Sequence, residues 1–591
     1  MQTHNPAKYA LFFANCLVLV LFLAAARGQD TLVIEGGTLF DGTGAAPRKI
    51  AAVMVRGNRI REIVPEGGAF QVPSGAQRIR GEGLTVLPGL IDSHVHYQGW
   101  DAELYISHGI TSVFDMGSNA EWILAQKEGT ANGRIYGPRV FNSGRGFGAG
   151  LYGSHLGMIM VRDVEDALRV TRDTIAASGD FIKVHDGITP QQLEAVVREA
   201  HRAGLSVAGH LGFTDAREAA AAGIDVIAHM SGVLTALAPP DLARKVKAGV
   251  LGDGTNYFEG AYNLKIDFPW DEKRAEELAK FLIEKKVKME PDIVNRTKGL
   301  YPQWPKFESE IFQLLKDPGL GYIRRSIKDR WHYQTRMNDP LLHPEPKDYL
   351  PKSREETERM LALQKRNHDY LVSFVKKFVA LGGEITVGSD AQHRVVPGLS
   401  YHQEMEMLIE NAGMTPMQAL VSATRNPARV FHKEKDLGTV ETGKLADLIL
   451  VRGDPLADIR NLRNIATVMK DGKVMETGYH AWFTNVLPRP PVARFNGEHY
   501  VPEITAVTPS IAKEGTAEIV VKIRGKEFAE GCVVTFDGRG IPLVSGSPTE
   551  ITIKLGREDL VKVGTWPLVV INPIPGGGPS NPGYFMVKFR Q

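Results

Sequence analysis

Cysteine is almost absent from this chain, with only Cys16 and Cys532 in 591 residues. Cys16 lies in an apolar N-terminal run that reads as removed on export. That leaves Cys532 alone and excludes an internal disulfide framework. Charge of one sign is also lacking: 70 Lys and Arg face 68 Asp and Glu, a formal net charge of +2. Such a balance predicts no nucleic-acid partner and no acidic surface as partner. Internal repeats and low-complexity tracts are missing too. What remains is an ordinary globular composition, 43% apolar and 23% charged, in a chain too long for one core.

Residues 1–28 read as an export signal. Lys8 gives a weak positive start, Tyr9 to Ala26 is almost wholly apolar, and Ala26-Arg27-Gly28 offers a small-x-small cleavage site. Cys16 lacks the small residue that precedes a lipidated cysteine. Cleavage predicts a periplasmic or extracellular protein with no stable membrane insertion. The rival reading is an uncleaved anchor, since the run is near the lower limit for a bilayer span.

Residues 29–85 alternate as short strands, Thr31–Ile34, Ala52–Val55, Arg59–Val64 and Gln77–Arg80. A matching piece at 437–485 contains Ala446–Val451, Ile465–Lys470 and Lys473–Glu476. Together they predict one small β-sandwich built from both ends of a catalytic unit at 86–436. That unit alternates strand and helix. After the strand Phe181–Val184, Thr189 caps a helix with Pro190 at its first position and a stripe of Leu193, Val196, Val197 and Ala200. Leu205–His210, the helix Asp215–Ala222 and the strand Ile224–His229 follow. Strands are also expected at Leu87–His96, Thr111–Asp115, Arg139–Asn142, Val287–Pro291 and Glu384–Gly388. Short loops between alternating elements imply parallel strands and an eight-stranded (β/α) TIM barrel. An insertion at about 295–355, rich in Trp, Tyr and Pro, predicts a lid or subunit contact, which leaves a homo-oligomer open. Residues 486–500 read as a proline-marked linker, and 501–591 as a seven-stranded immunoglobulin-like β-sandwich.

Six residues carry the chemistry: His94, His96, Lys183, His210, His229 and Asp390. Each stands at or near the C-terminal end of an apolar strand, where barrels place their reactive groups. In a strand, alternate side chains share a face, so His94 and His96 can grip one ion. Taken singly, His210, His229 and Asp390 read as packed or hydrogen-bonded side chains, but their recurrence at successive strand ends points to metal. Lys183 is costly inside an apolar strand unless paired. It is either a buried ion pair with Asp115 or Asp186, or a neutral amine that has captured carbon dioxide. The resulting carbamate could bridge two cations.

Two stretches extend this pattern. Val86-Leu87-Pro88-Gly89-Leu90-Ile91-Asp92-Ser93-His94-Val95-His96 and Gly443-Lys444-Leu445-Ala446-Asp447-Leu448-Ile449-Leu450 resemble the first-strand and return segments of the metal-dependent amidohydrolase superfamily. Phe181-Ile182-Lys183-Val184 and Gly388-Ser389-Asp390-Ala391 resemble its imidazolonepropionase and prolidase-like branch. The resemblance implies that His94, His96 and Asp390 hold a first ion, that His210 and His229 hold a second, and that carbamylated Lys183 bridges them. It also implies a metal-activated hydroxide as nucleophile, with Asp390 passing its proton to the leaving group. Phe114 departs from the family, where arginine often precedes the residue matching Asp115. The tail separately resembles an IPT/TIG domain through Pro502-Glu503-Ile504, Val507-Thr508-Pro509, Gly525-Lys526-Glu527-Phe528 and Asn572-Pro573.

Substrate selection is expected in the loops Arg145–His155 and Gln392–His402. There Tyr152 and His155 could hydrogen-bond the carbonyl, and Arg145 or Arg394 could pair with a substrate carboxylate. Gly144, Gly146, Gly148, Gly150 and Gly153 would let backbone approach the ligand. The expected reaction is cleavage of a C–N bond in a cyclic amide, N-acyl amino acid or dipeptide. Histidines mixed with carboxylates favour two zinc ions. An esterase, lactonase or phosphotriesterase on the same centre is the second reading. A non-catalytic, metal-stabilised binding protein is the third, its tail recognising glycan or protein.

Overall fold

The computed structural model describes residues 31–148, 158–251, 267–296, 301–324, 327–328, 331, 354–391, 395–487, 502–537, 539–573 and 578–589. The expected export signal, nearly all of the expected linker and much of the expected insertion lie outside the described residues. No described helix is long and apolar enough to cross a membrane.

The centre is a mixed α/β fold of the TIM-barrel type. Leu90–Val95, Ile110–Asp115 and Arg139–Asn142 form one parallel series. Ile182–Val184, Val207–Gly209, Val226–Ala228 and Lys288–Glu290 form another. The amide of Asp180 donates to the carbonyl of Asn142 at 2.7 Å where the two series meet. Single parallel bridges, Met289↔Ile385 and Val95↔Ala391, set the segment 385–391 between the last strand and the first. Glu384–Gly388, expected as a strand, is therefore present only through isolated bridges.

Local chemistry explains the intervening helices. Thr189 and Gln192 form a reciprocal capping box at the head of Pro190–Arg202, and Asp215 and Glu218 form another at Ala216–Ala222. Gly223, with φ of 89°, ends the second helix in a left-handed turn. Leu193, Val196, Val197 and Ala200 are buried as the stripe requires.

The expected first strand proves to be two. Leu84–Pro88 pairs antiparallel with Leu448–Arg452 in a small nine-stranded sheet, and only Leu90–Val95 belongs to the central series. Gly89 separates them because no side chain fits: a Cβ there would stand 2.1 Å from Thr111 Oγ1. The small sheet takes Thr31–Glu35, Thr38–Leu39, Arg48–Arg56, Arg59–Pro65 and Gln77–Arg80 from before the centre, and Ile465–Lys470 and Lys473–Met475 from after it. Its core joins Leu32, Ile34 and Val53 to Ala446, Leu448 and Met469.

Part of the 295–355 region packs against the main core. Trp304, Phe307 and Ile311 of the helix Trp304–Leu315 are buried there, and Trp331 lies 6.0 Å from Trp100, ring centre to ring centre. The tail forms two sheets around Val521, Ile523, Ile551, Ile553 and Phe585. Ten strand segments are present among its described residues rather than the expected seven. The additional pieces, such as Arg539–Ile541 and Gly578–Pro579, are too short to show alternation.

Arg139 ties the central strands to the small sheet. Its guanidinium meets Asp447 at 3.1 Å and Asp471 at 2.6 Å, and both Arg139 and Asp447 are largely buried. Removing one partner of a buried ion pair leaves the other charge uncompensated. Arg139→Met should therefore destabilise the folded chain by roughly 3–5 kcal/mol, read as a shift in the denaturant midpoint. An unchanged midpoint would refute that role.

Candidate metal centre

The strand Leu90–Val95 carries His94 and brings His96 to the same face just beyond its end, their rings 5.6 Å apart. Across from them, Asp390 Oδ1 stands 3.5 Å from Nε2 of both. Donors about 2.1 Å from one tetrahedral centre stand about 3.4 Å from each other, so these three atoms are spaced as ligands of one cation. His229 follows the strand Val226–Ala228 and places its ring 4.5 Å from His94 and 4.9 Å from His210. The structure thus gathers the histidines of the expected site with Asp390. His210 and His229 supply two further imidazoles beside them.

Lys183 is 1% exposed, and its Nζ has no hydrogen-bond partner among the described residues. Neither expected counter-ion serves it. Asp186 is engaged by His185 Nδ1, and Asp115 accepts from the Tyr97 amide and the Ser118 hydroxyl. Burial pushes the amine down to about 8, against the pull of Glu290, Asp390 and Asp292. The orphaned amine, His94 Nε2 without a hydrogen-bond partner, and the mixed imidazole–carboxylate donors fit divalent cations.

Sequence reasoning missed the carboxylates behind the rings. Glu290 Oε1 lies 2.5 Å from His94 Nδ1, while its Oε2 accepts from the Ser93 hydroxyl. Asp292 Oδ2 lies 2.7 Å from His229 Nδ1. Glu290 holds the His94 ring through Nδ1 and leaves its Nε2 to face Asp390, as carboxylates backing metal-binding histidines do, whereas His229 Nδ1 lies between Asp292 and Asp390 Oδ2, 3.9 Å from the latter. Asp292 also forms a potential donor group with His94 and His229, and it approaches both through Nδ1. The missed signal is spacing: Glu290-x-Asp292 repeats, at another strand end, the alternation of His94-x-His96. Lys183-x-His185 repeats it again, and the His185 ring lies 4.2 Å from that of His210.

Burial dominates the site's titration. It raises the Glu290 carboxyl to about 7 and the Asp292 carboxyl well above its usual range, and it holds the His94 imidazole well below its own. Backbone geometry is also demanding. His229, Asp292 and Asp390 have φ of 59°, 48° and 50°, in the left-handed region that side chains other than glycine rarely adopt.

Phe114 contributes no polar group here. It stacks on Phe431 and Phe141, at 4.3 Å and 4.7 Å, beneath the site. The polar support beside the first strand is instead Asp92, which accepts from the Ser389 amide at 3.0 Å and its hydroxyl at 2.6 Å. Of the expected substrate contacts, Arg145 is half-buried in the turn between Arg139–Asn142 and Phe147–Gly148. Tyr152, His155 and Arg394 lie outside the described residues, as do Gly150 and Gly153. Gly146 and Gly148 are glycines for a packing reason as well. They pack on the neighbouring strand, where added Cβ atoms would stand 3.4 Å from Lys183 Cγ and 2.7 Å from the Asp186 carbonyl oxygen.

Gly388 is enclosed more tightly still, since a Cβ there would lie 2.7 Å from His94 Cβ and 2.8 Å from both Asp292 Oδ1 and Glu290 Cδ. Gly388→Ala should displace His94 together with its supporting carboxylates. Glu290→Gln should weaken metal binding about 10- to 100-fold while the ring keeps its place. Metal titration of both variants checks this, and wild-type affinity in either would count against the supporting role.

A profile of the Amidohydrolase family matches residues 85–248 and 337–475. Over 109 residues the chain is 28% identical to an imidazolonepropionase of Geobacillus sp., covering 17% of this chain and 24% of that one. Over 93 residues it is 38% identical to an N-acyl-D-aspartate deacylase of Alcaligenes xylosoxydans xylosoxydans, covering 15% and 18%. The chain thus spans about a quarter or less of the length of these curated relatives. A crystal structure of a Xaa-Pro dipeptidase with bound methionine superposes with a TM-score of 0.52 at 22% identity, over 76% of this chain and all of that one. With its central fold, its His/Asp donor group and a family match over half its length, the chain belongs to the amidohydrolase family.

Proposed function

We propose that this chain is an exported hydrolase that cleaves C–N bonds of small-molecule amides, such as cyclic amides, N-acyl amino acids or dipeptides, at a binuclear metal centre on a (β/α) barrel. The observation that carries this reading is the spacing of His94 Nε2, His96 Nε2 and Asp390 Oδ1, together with a buried Lys183 amine that has no hydrogen-bond partner among the described residues.

His94, His96 and Asp390 would hold one cation and His210 and His229 the other, with Lys183 bridging them as its carbamate. Two such cations, zinc by the donor set, would polarise the scissile carbonyl and let a water lose its proton near neutral pH. The chain's own groups do the rest. Glu290 fixes the His94 ring through Nδ1, and Asp292 lies beside Nδ1 of His229. Asp390 takes the proton of the attacking water and hands it to the leaving nitrogen, so that the amine departs neutral. Arg145, Tyr152, His155 and Arg394 are the proposed substrate contacts. The C-terminal sheets, read as an IPT/TIG-like domain, would serve as a binding module for glycan or protein.

Asp390→Asn should lower turnover at least about a hundredfold, because general acid–base catalysis is lost. Full turnover in that variant would remove the proton-shuttle role. Lys183→Ala should reduce the metal content from two ions to one or none, with partial recovery of activity when short carboxylic acids are added. Retention of both ions would remove the bridge. A screen of amides, dipeptides, lactones and phosphotriesters against the metal-loaded protein tests the reaction class, and turnover confined to lactones or phosphotriesters would overturn it.

A further inference from the structure

Asn295 stands on the short helix Ile293–Arg296 beyond the strand that ends at Glu290, and its side chain is buried. Its amide nitrogen donates to Asp390 Oδ2, the oxygen not shared with the two Nε2 atoms. An ionised carboxylate offers only acceptors, so the NH2 end of Asn295 must face Asp390. That fixes the other end of the side chain. Oδ1 of Asn295 is buried and has no hydrogen-bond partner among the described residues.

We propose that Asn295 Oδ1 accepts a hydrogen bond from the scissile nitrogen of the substrate, and so selects amides that carry N–H at that atom. The inference rests on the amide-hydrolase reading above. On that reading the leaving nitrogen comes to Asp390 to collect a proton, and Asn295 Oδ1 is the acceptor adjoining Asp390 through the same side chain. As the carbonyl carbon becomes tetrahedral, the nitrogen loses amide resonance and becomes pyramidal. A hydrogen bond from its N–H to Oδ1 turns the lone pair toward Asp390. The proton from Asp390 then completes the amine, and the bonding pair of the broken C–N bond stays on nitrogen.

A prolyl or N-methyl nitrogen has no hydrogen to offer. It would leave Oδ1 without a donor and press a carbon against it. Sites built to bond a substrate N–H discriminate strongly against the analogue lacking it, for this reason. The inference divides the substrate classes left open above: N-acyl amino acids and dipeptides with an ordinary second residue are favoured over dipeptides ending in proline.

The test uses the full-length, metal-loaded protein and two matched pairs: an N-acyl amino acid against its N-methyl form, and a dipeptide ending in alanine against one ending in proline. The wild type should favour the N–H member by at least about tenfold in kcat/KM. With enough added metal to keep the variant loaded, checked by its metal content, Asn295→Leu should bring that ratio toward one, mainly by lowering kcat on the N–H member. Equal or greater wild-type activity on the N-methyl and prolyl members would overturn the proposal, as would an unchanged ratio in a folded Asn295→Leu variant. If that variant does not fold, the wild-type ratio decides alone. Failure of the parent reading looks different, because then no amide in either pair is hydrolysed.

Discussion

Lys183 carries a primary amine into the interior on an apolar strand, and the groups around it are arranged to make that burial tolerable. An ammonium there is disfavoured by loss of water, while Glu290, Asp390 and Asp292 favour it without touching it. Those carboxylates face the same penalty, and burial drives Glu290 and Asp292 toward their neutral forms. The imidazole of His94 is held in its neutral, ligating form by the same effect. Positive charge from outside the chain would stabilise the ionised carboxylates and suit the neutral imidazole and neutral amine, which is why donor spacing and electrostatics point to the same chemistry.

Support for the site is built in depth. The inward-facing Nε2 of His94 is backed by Glu290 at Nδ1, and Glu290 is itself held by Ser93. Asp92 clamps Ser389, the residue before Asp390. Three residues of this assembly take left-handed backbone angles, a conformation costing roughly 1–3 kcal/mol apiece unless its surroundings enforce it. The closeness of Gly388 to His94, Glu290 and Asp292 shows how little freedom the enforcement leaves.

Most of the fold was legible in the sequence because it rests on local rules. Thr189-Pro190 and Asp215 announce helix starts, Gly223 a helix end, and apolar runs closing on His210 and His229 mark strands. The break at Gly89 was not legible, since both halves of 84–95 are apolar and only the approach of Thr111 from the adjacent strand divides them. The inner donors were readable as types recurring at strand ends. Glu290, Asp292 and Asn295 were not, because their roles depend on which ring or carboxylate lies opposite across the fold, and that is a tertiary fact. Their shared position at or just past the end of one strand was the available clue. The tail's strand count failed for a simpler reason: pairings of two or three residues leave no periodic trace.

The pairing of Leu84–Pro88 with Leu448–Arg452 has a temporal consequence. One edge is synthesised some 360 residues before its mate. At ribosomal speeds of about 5–20 residues per second, the early edge waits roughly 20–70 s with the backbone groups that face Leu448–Arg452 unpaired. Closing so large a loop is slow for entropic reasons as well. The small sheet is therefore completed only after the central strands have brought the two ends of the chain together, and the nascent protein passes through a stage in which an open, sticky β-edge must be shielded or kept dilute.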